Sequence, residues 1–148
     1  MSIFTSFDIN ASGMTAQRYR MDVISENVAN ADTTRTEDGT PYRRKVVTFQ
    51  QKGEKVGSFS SVFGKASDAY KGQGVRVSKV SQDTWTEMIK AYDPSHPDAD
   101  ENGCVTYPDV YIVTEMTNLI DASRSYEANA TAFNASKTIA MKGLEMGQ

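Results

Sequence analysis

Two side chains that often carry chemistry are nearly missing from the 148 residues: there is one cysteine, Cys104, and one histidine, His96. No intramolecular disulfide can form, and no zinc site or Ser-His or Cys-His pair can recruit a second histidine. His96 lies between Pro94 and Pro97, the setting of a turn, and Cys104 has no basic neighbour to activate it. A phosphate-cradling glycine loop, a G-x-S-x-G elbow and metal-ligand spacing are absent as well. Neither an enzyme nor a cofactor nor a small-molecule substrate is expected. No window approaches the ~18 apolar residues of a membrane span. The opening MSIFTSFDINASG has no basic segment and no long apolar core, which argues against a cleavable signal peptide. Charge of one sign is lacking too, since the formal net charge is −3 and points to neither nucleic acid nor a membrane surface. At 39% hydrophobic and 24% charged, the chain is ordinary for one soluble domain or two small ones.

What is present is helical periodicity at both ends. In the last third, Ile112, Met116, Leu119, Ser123, Tyr126, Ala130, Phe133, Lys137, Ala140 and Leu144 alternate steps of four and three. That spacing is the a/d seam of a heptad, a coiled-coil signal. Fully helical, the 33 residues from Ile112 to Leu144 span about 50 Å at ~1.5 Å per residue. Near the start, Phe7, Met14, Met21 and Val28 recur at steps of seven, with Phe4 and Ala11 between them. The expected architecture is mainly α with a β-rich insert. Its two long terminal helices pair as an antiparallel coiled coil, with a small β-rich domain between them. The corresponding segments are residues 1–30, an N-terminal axial helix; 31–108, a loop and β-rich insert; and 109–148, a C-terminal axial helix.

Between the helices the period changes. Asn27 to Thr34 is a polar run whose side chains compete for backbone hydrogen bonds, so it reads as a helix exit. In YRRKVVTFQ from Tyr42, Val47 and Phe49 fall on one face of a strand. The basic triplet Arg43-Arg44-Lys45 has no interleaved aromatic platform and reads as a solvated strand edge, not a nucleic-acid patch. Residues 52–74 look like a weak strand or a loop, and GVRVSKVSQ is the next strand. Residues 84–92 fit either a short helix opening on Thr84 and Glu87 or a strand packing Trp85 on the sheet.

One stretch invites a metal. In DADENGCVTYPD, Asp98, Asp100 and Asn102 occupy positions 1, 3 and 5 of a calcium loop, Gly103 position 6 and Asp109 position 12. Against that reading, Pro94 and Pro97 destroy an entering helix, Pro108 interrupts the loop and position 12 lacks the longer glutamate. An acidic, glycine-bearing turn is the plainer reading, with a calcium-binding helical interaction module on the Asp98–Asp109 loop as the alternative function.

Three ordered motifs carry a family resemblance. They are Ser25-Glu26-Asn27-Val28-Ala29-Asn30-Ala31-Asp32-Thr33 with Pro41-Tyr42-Arg43; Tyr92-Asp93-Pro94-Ser95-His96-Pro97-Asp98-Ala99-Asp100 with Asn102-Gly103; and Glu115-Met116, then Ala122-Ser123-Arg124-Ser125-Tyr126-Glu127-Ala128-Asn129. Together they resemble the flagellar rod and hook axial family, and the middle motif narrows the likeness to its proximal-rod subunits. Cys104 departs from the pattern, which carries an aromatic there. The resemblance implies a structural subunit of the bacterial basal-body rod, exported through the flagellar type III apparatus without a cleavable signal. It implies self-association and partners among other rod subunits, the adaptor at the rod base and the rod-capping protein. It also implies that the terminal helices polymerise into the shaft that crosses the periplasm and transmits torque. Phe7, Met14, Met21, Val28, Ile112, Met116, Leu119, Tyr126, Phe133 and Leu144 are the expected packing positions. Asn27, Val28, Ala29, Asn30, Asp32, Thr33, Ser123, Arg124, Tyr126 and Asn129 are the motif positions. Heptad helices left without partners recover too little apolar burial to offset their ordering entropy, so both ends are expected to fray in dilute monomer.

Overall fold

The computed structural model describes residues 3–52 and 73–146. The sequence reading of a weak strand within VGSFSSVF lies outside them. Helix α1 runs Ile3–Ala29, four strands follow as β1 Lys45–Gln51, β2 Val75–Gln82, β3 Ile89–Tyr92 and β4 Cys104–Tyr107, and helix α2 closes the order at Ile112–Glu145. Among the described residues, two long helices thus flank a small antiparallel β region of two two-stranded sheets.

The helices pack antiparallel. The rings of Phe7 and Phe133 lie 4.9 Å apart, a Cβ on Gly13 would sit against the Asn129 side chain, and Asn27 bonds Glu115. Small residues set the spacing. Gly13 and Ala16 are buried on α1 and Ala122 on α2, so the backbones approach closely.

The heptad stripe of α2 does not face α1 as a unit. Leu119, Ser123, Ala130, Phe133 and Ala140 are half-buried, whereas Ile112, Met116, Tyr126, Lys137 and Leu144 are exposed. The buried residues of this helix are Glu115 and Ala122, seven apart, and half-buried Asn129 and Ser136 continue their line. One residue is about 100° of helix rotation, so drawing Glu115 inward carries Met116 out of the seam. A polar residue, Glu115, shares the buried line with Ala122.

β1 and β2 form a hairpin in register from Lys45↔Gln82 to Gln51↔Val75. Its Val47, Phe49, Val75 and Val77 are half-buried while Thr48, Gln50 and Arg76 are exposed, the alternation expected of a sheet with one covered face. The register slips between Thr48 and Phe49, opposite Ser78. That bulge turns Val80, not Lys79, toward the covered side. Residues 89–92, where helix and strand were both open, are strand β3, paired with β4 from Ile89↔Tyr107 to Tyr92↔Cys104. Trp85 packs on neither: it stands 95% exposed in the preceding turn. The buried apolar cluster joins Ala31, Tyr42 and Val110, where the exit of α1, the loop and the approach to α2 meet.

Candidate assembly interface

The most completely bonded point of the molecule is a polar junction between the helices and the first hairpin. Asn27, 1% exposed, uses its whole amide. Its Nδ2 donates to the Lys45 carbonyl at 2.9 Å and to Glu115 Oε2 at 3.1 Å. Its Oδ1 accepts from the Tyr42 hydroxyl and from the Lys45 N–H, both at 2.9 Å. Glu115, also 1% exposed, receives the Arg44 guanidinium on Oε1, from Nε at 2.9 Å and Nη2 at 2.8 Å. It sits in the first turn of α2, where the helix dipole favours a negative charge. A buried carboxylate is tolerated only when paired and hydrogen-bonded, and here both conditions hold. Lys45 adds an ion pair to Glu26 on α1. Burial, reinforced by the nearby Glu26 and Glu115 carboxylates, pushes the Tyr42 hydroxyl up to about 12.

The helix exit is closed by other residues. Asn30 Nδ2 donates to the Glu26 carbonyl at 2.9 Å, and the Thr33 hydroxyl donates to Asn30 Oδ1 at 3.2 Å. Capping therefore falls to Asn30 and Thr33, while Asn27, read from sequence as part of the cap, is the hub of the junction. Nothing in the periodicity could have found the hub, because Asn27 and Glu115 are 88 residues apart. The family motifs did contain Asn27, Tyr42 and Glu115, with Arg44 next to one of them. The resemblance flagged the places, and the structure supplies the reason they meet.

The acidic turn spends its oxygens internally. Asp98 accepts from the Thr34 hydroxyl at 2.8 Å and lies 3.4 Å from Arg35. Asp100 Oδ1 accepts from the N–H groups of Asn102 and Cys104, both at 2.8 Å. Gly103, at φ 74°, makes the left-handed step of this turn. Among the described residues no three acidic, histidine or cysteine side chains converge on a metal position. Asp98 holds the second hairpin against the loop after α1, Asp100 closes the turn itself, and the calcium reading has no geometric support.

Of the expected packing positions, Phe7, Met14, Met21, Val28, Leu119 and Phe133 are half-buried in the helix pair. Ile112, Met116, Tyr126 and Leu144 point outward, at 43%, 54%, 36% and 76% exposure. Val113 and Ile120, not singled out from sequence, join Met116 on that outer face at 79% and 53% exposure. Residues 113, 116 and 120 share one side of a helix, so this is a continuous apolar stripe. Of the motif positions, Val28, Asn30, Thr33, Ser123 and Asn129 are half-buried, and Ala29, Asp32, Arg124 and Tyr126 are exposed. Arg124 lies between exposed Asp121 and Glu127 without pairing with either inside the subunit. Among the described residues no helix is long and apolar enough to cross a membrane. The surface offers an apolar helix face and a helix pair of fixed geometry, the equipment for contact with other chains.

Comparison with known proteins agrees with that character. Residues 7–35 match the model of the flagella basal body rod protein family, and residues 101–146 match the C-terminal model of the flagellar basal body rod FlgEFG proteins. The chain is 46% identical to the flagellar basal-body rod protein FlgC of Bacillus subtilis, with 100% of each chain covered. It is 41% identical to FlgC of Borreliella burgdorferi, covering 100% of this chain and 99% of that one. Against FlgC of Salmonella typhimurium the identity is 39%, again over 100% of both. The first family model ends on the helix exit and the second begins in the acidic turn, so the two bracket the halves that the junction joins.

Proposed function

Since the chain belongs to the flagellar basal-body rod protein FlgC family, a structural family and not an enzymatic one, we propose that it polymerises through its terminal helices into a torque-transmitting shaft. The observation that carries this reading is the outer face of α2, where Val113, Met116 and Ile120 expose apolar surface that has no partner among the described residues. Contiguous exposed apolar surface marks a binding site more often than an accident of folding. Torque transmission needs many dry helix contacts and no reactive group, which suits a chain whose polar centre is spent on its own architecture. In the assembled state α1 and α2 wind as an antiparallel coiled coil. Neighbouring subunits then cover Ile112, Met116, Tyr126 and Leu144. Other rod subunits, the rod-base adaptor, the rod-capping protein and the type III export apparatus are the proposed partners. The periplasmic rod is the proposed location.

The test is assembly in cells that lack the native copy of this chain. Val113→Asp with Ile120→Asp should abolish rods and swimming while the isolated variant keeps the circular dichroism spectrum of dilute wild type. Normal rods from that variant would show that the outer face of α2 is not an assembly surface.

A further inference from the structure

Trp85 is the only tryptophan in the chain and is 95% exposed, yet its turn is braced. Asp83 Oδ1 accepts from the N–H groups of Trp85 at 3.1 Å and Thr86 at 3.2 Å, and its Oδ2 accepts from the Thr86 hydroxyl at 2.9 Å. These bonds, those from Thr86 foremost, hold the Asp83 carboxyl below its usual range, so the brace stays charged. Arg43 Nη1 donates to the carbonyls of Asp83 and Thr86, both at 3.4 Å. A large side chain displayed from a rigid turn has less ordering entropy left to lose on binding, and tryptophan is a frequent interface anchor.

A groove of about 230 Å³ opens between α1, β1 and the start of α2. Val23 and Ile24 of α1 and Val47 and Phe49 of β1 give it apolar walls, Arg20 and Lys45 lie beside them, and the mutually paired Arg44 and Glu115 complete the lining. Near Trp85 the free charge is of the opposite sign: Glu87 lies two residues on, while Asp83 is already paired with Arg44 at 3.9 Å and Arg43 lies on the same turn. Arg20 and Glu87 each lack an ion-pair partner among the described residues. The volume suits one large aromatic ring, and among the described residues Arg20 and Glu87 are an unpaired cation and an unpaired anion.

We propose that Trp85 of one copy of this chain seats in the α1–β1 groove of a second copy, with Glu87 meeting Arg20. The proposal rests on the rod-subunit reading and adds a contact made by the β region. A tryptophan buries at most about 250 Å², well below the ~800 Å² per partner of a stable interface. It is an anchor that acts alongside the helix contacts. Knob and groove are different patches, so a copy that has given its tryptophan still offers an open groove and the contact can repeat.

Intrinsic fluorescence of the full chain reads this single residue directly. As concentration drives self-association, emission should move to shorter wavelength and acrylamide quenching should fall several-fold. Arg20→Glu and Glu87→Lys should each weaken association several-fold, and the double variant should restore it, a rescue that a folding defect would not give. Water-like emission while the mass grows overturns the proposal, as does a chain that stays monomeric at every concentration. A shift seen only on adding other rod proteins, or a charge swap without rescue, overturns it too. Normal rods from Trp85→Ala would remove the knob and leave the rod-subunit reading standing, whereas loss of rods only in the α2-face variant would separate the two.

Discussion

At the residue scale, the junction asks more of Asn27, Tyr42 and Glu115 than any other position asks of its side chain. Tyr42→Phe removes one of the two donors to Asn27 Oδ1 and should cost about 1–2 kcal/mol in urea unfolding. It should also change the alkaline limb. The hydroxyl titrates near 10 when unfolded and is raised to about 12 by burial and the Glu26 and Glu115 charges. The stability it contributes is complete below pH 10 and is lost as pH rises toward 12. The Phe variant should lose that part of the pH dependence. Glu115→Ala strips Arg44 and Asn27 of their shared acceptor and should cost roughly 2–4 kcal/mol, held below the fully buried case because Arg44 keeps contact with water. Glu115→Gln should recover part of that cost, because the shape and one acceptor remain.

At the scale of elements, both helices were legible because 3.6-residue periodicity survives over many turns, and the alternation at Val47 and Phe49 announced β1 equally well. The face that α2 presents was not legible. Its apolar stripe and the buried line of Glu115 and Ala122 differ by one residue, and Glu115 takes its partners from other elements. Trp85 shows the same limit, since its exposure depends on the Asp83 brace and not on its hydrophobicity. Helix spacing yields a further prediction at Gly13, where a Cβ would lie 2.7 Å from Asn129 Oδ1. Gly13→Ala gains up to ~1 kcal/mol of helix propensity. Against that, Asn129 must rotate and give up its bond to the Ser125 carbonyl, so the net change in thermal midpoint should be small. Gly13→Leu has no such escape and should cost about 1–3 kcal/mol by forcing the helices apart.

At the scale of the whole molecule, family and fold could be anticipated from three motifs in order, while the joint between them could not, because it exists only in three dimensions. The buried apolar cluster is small, Ala31, Tyr42 and Val110, and the large apolar residues of the outer α2 face stay in water. Helicity in dilute monomer should therefore fall below that of the assembled protein and rise with concentration. Circular dichroism across a dilution series checks this, and full helicity in a demonstrably monomeric sample would contradict it.

The junction also imposes an order of events. Asn27 leaves the ribosome early, and Glu115, its partner 88 residues on, leaves late. Loop closure over that separation must precede any reward from the bond. A chain emerging from its N-terminus thus carries α1 for most of its length without the residue that locks it. The bond between the two helices forms only after the final third arrives.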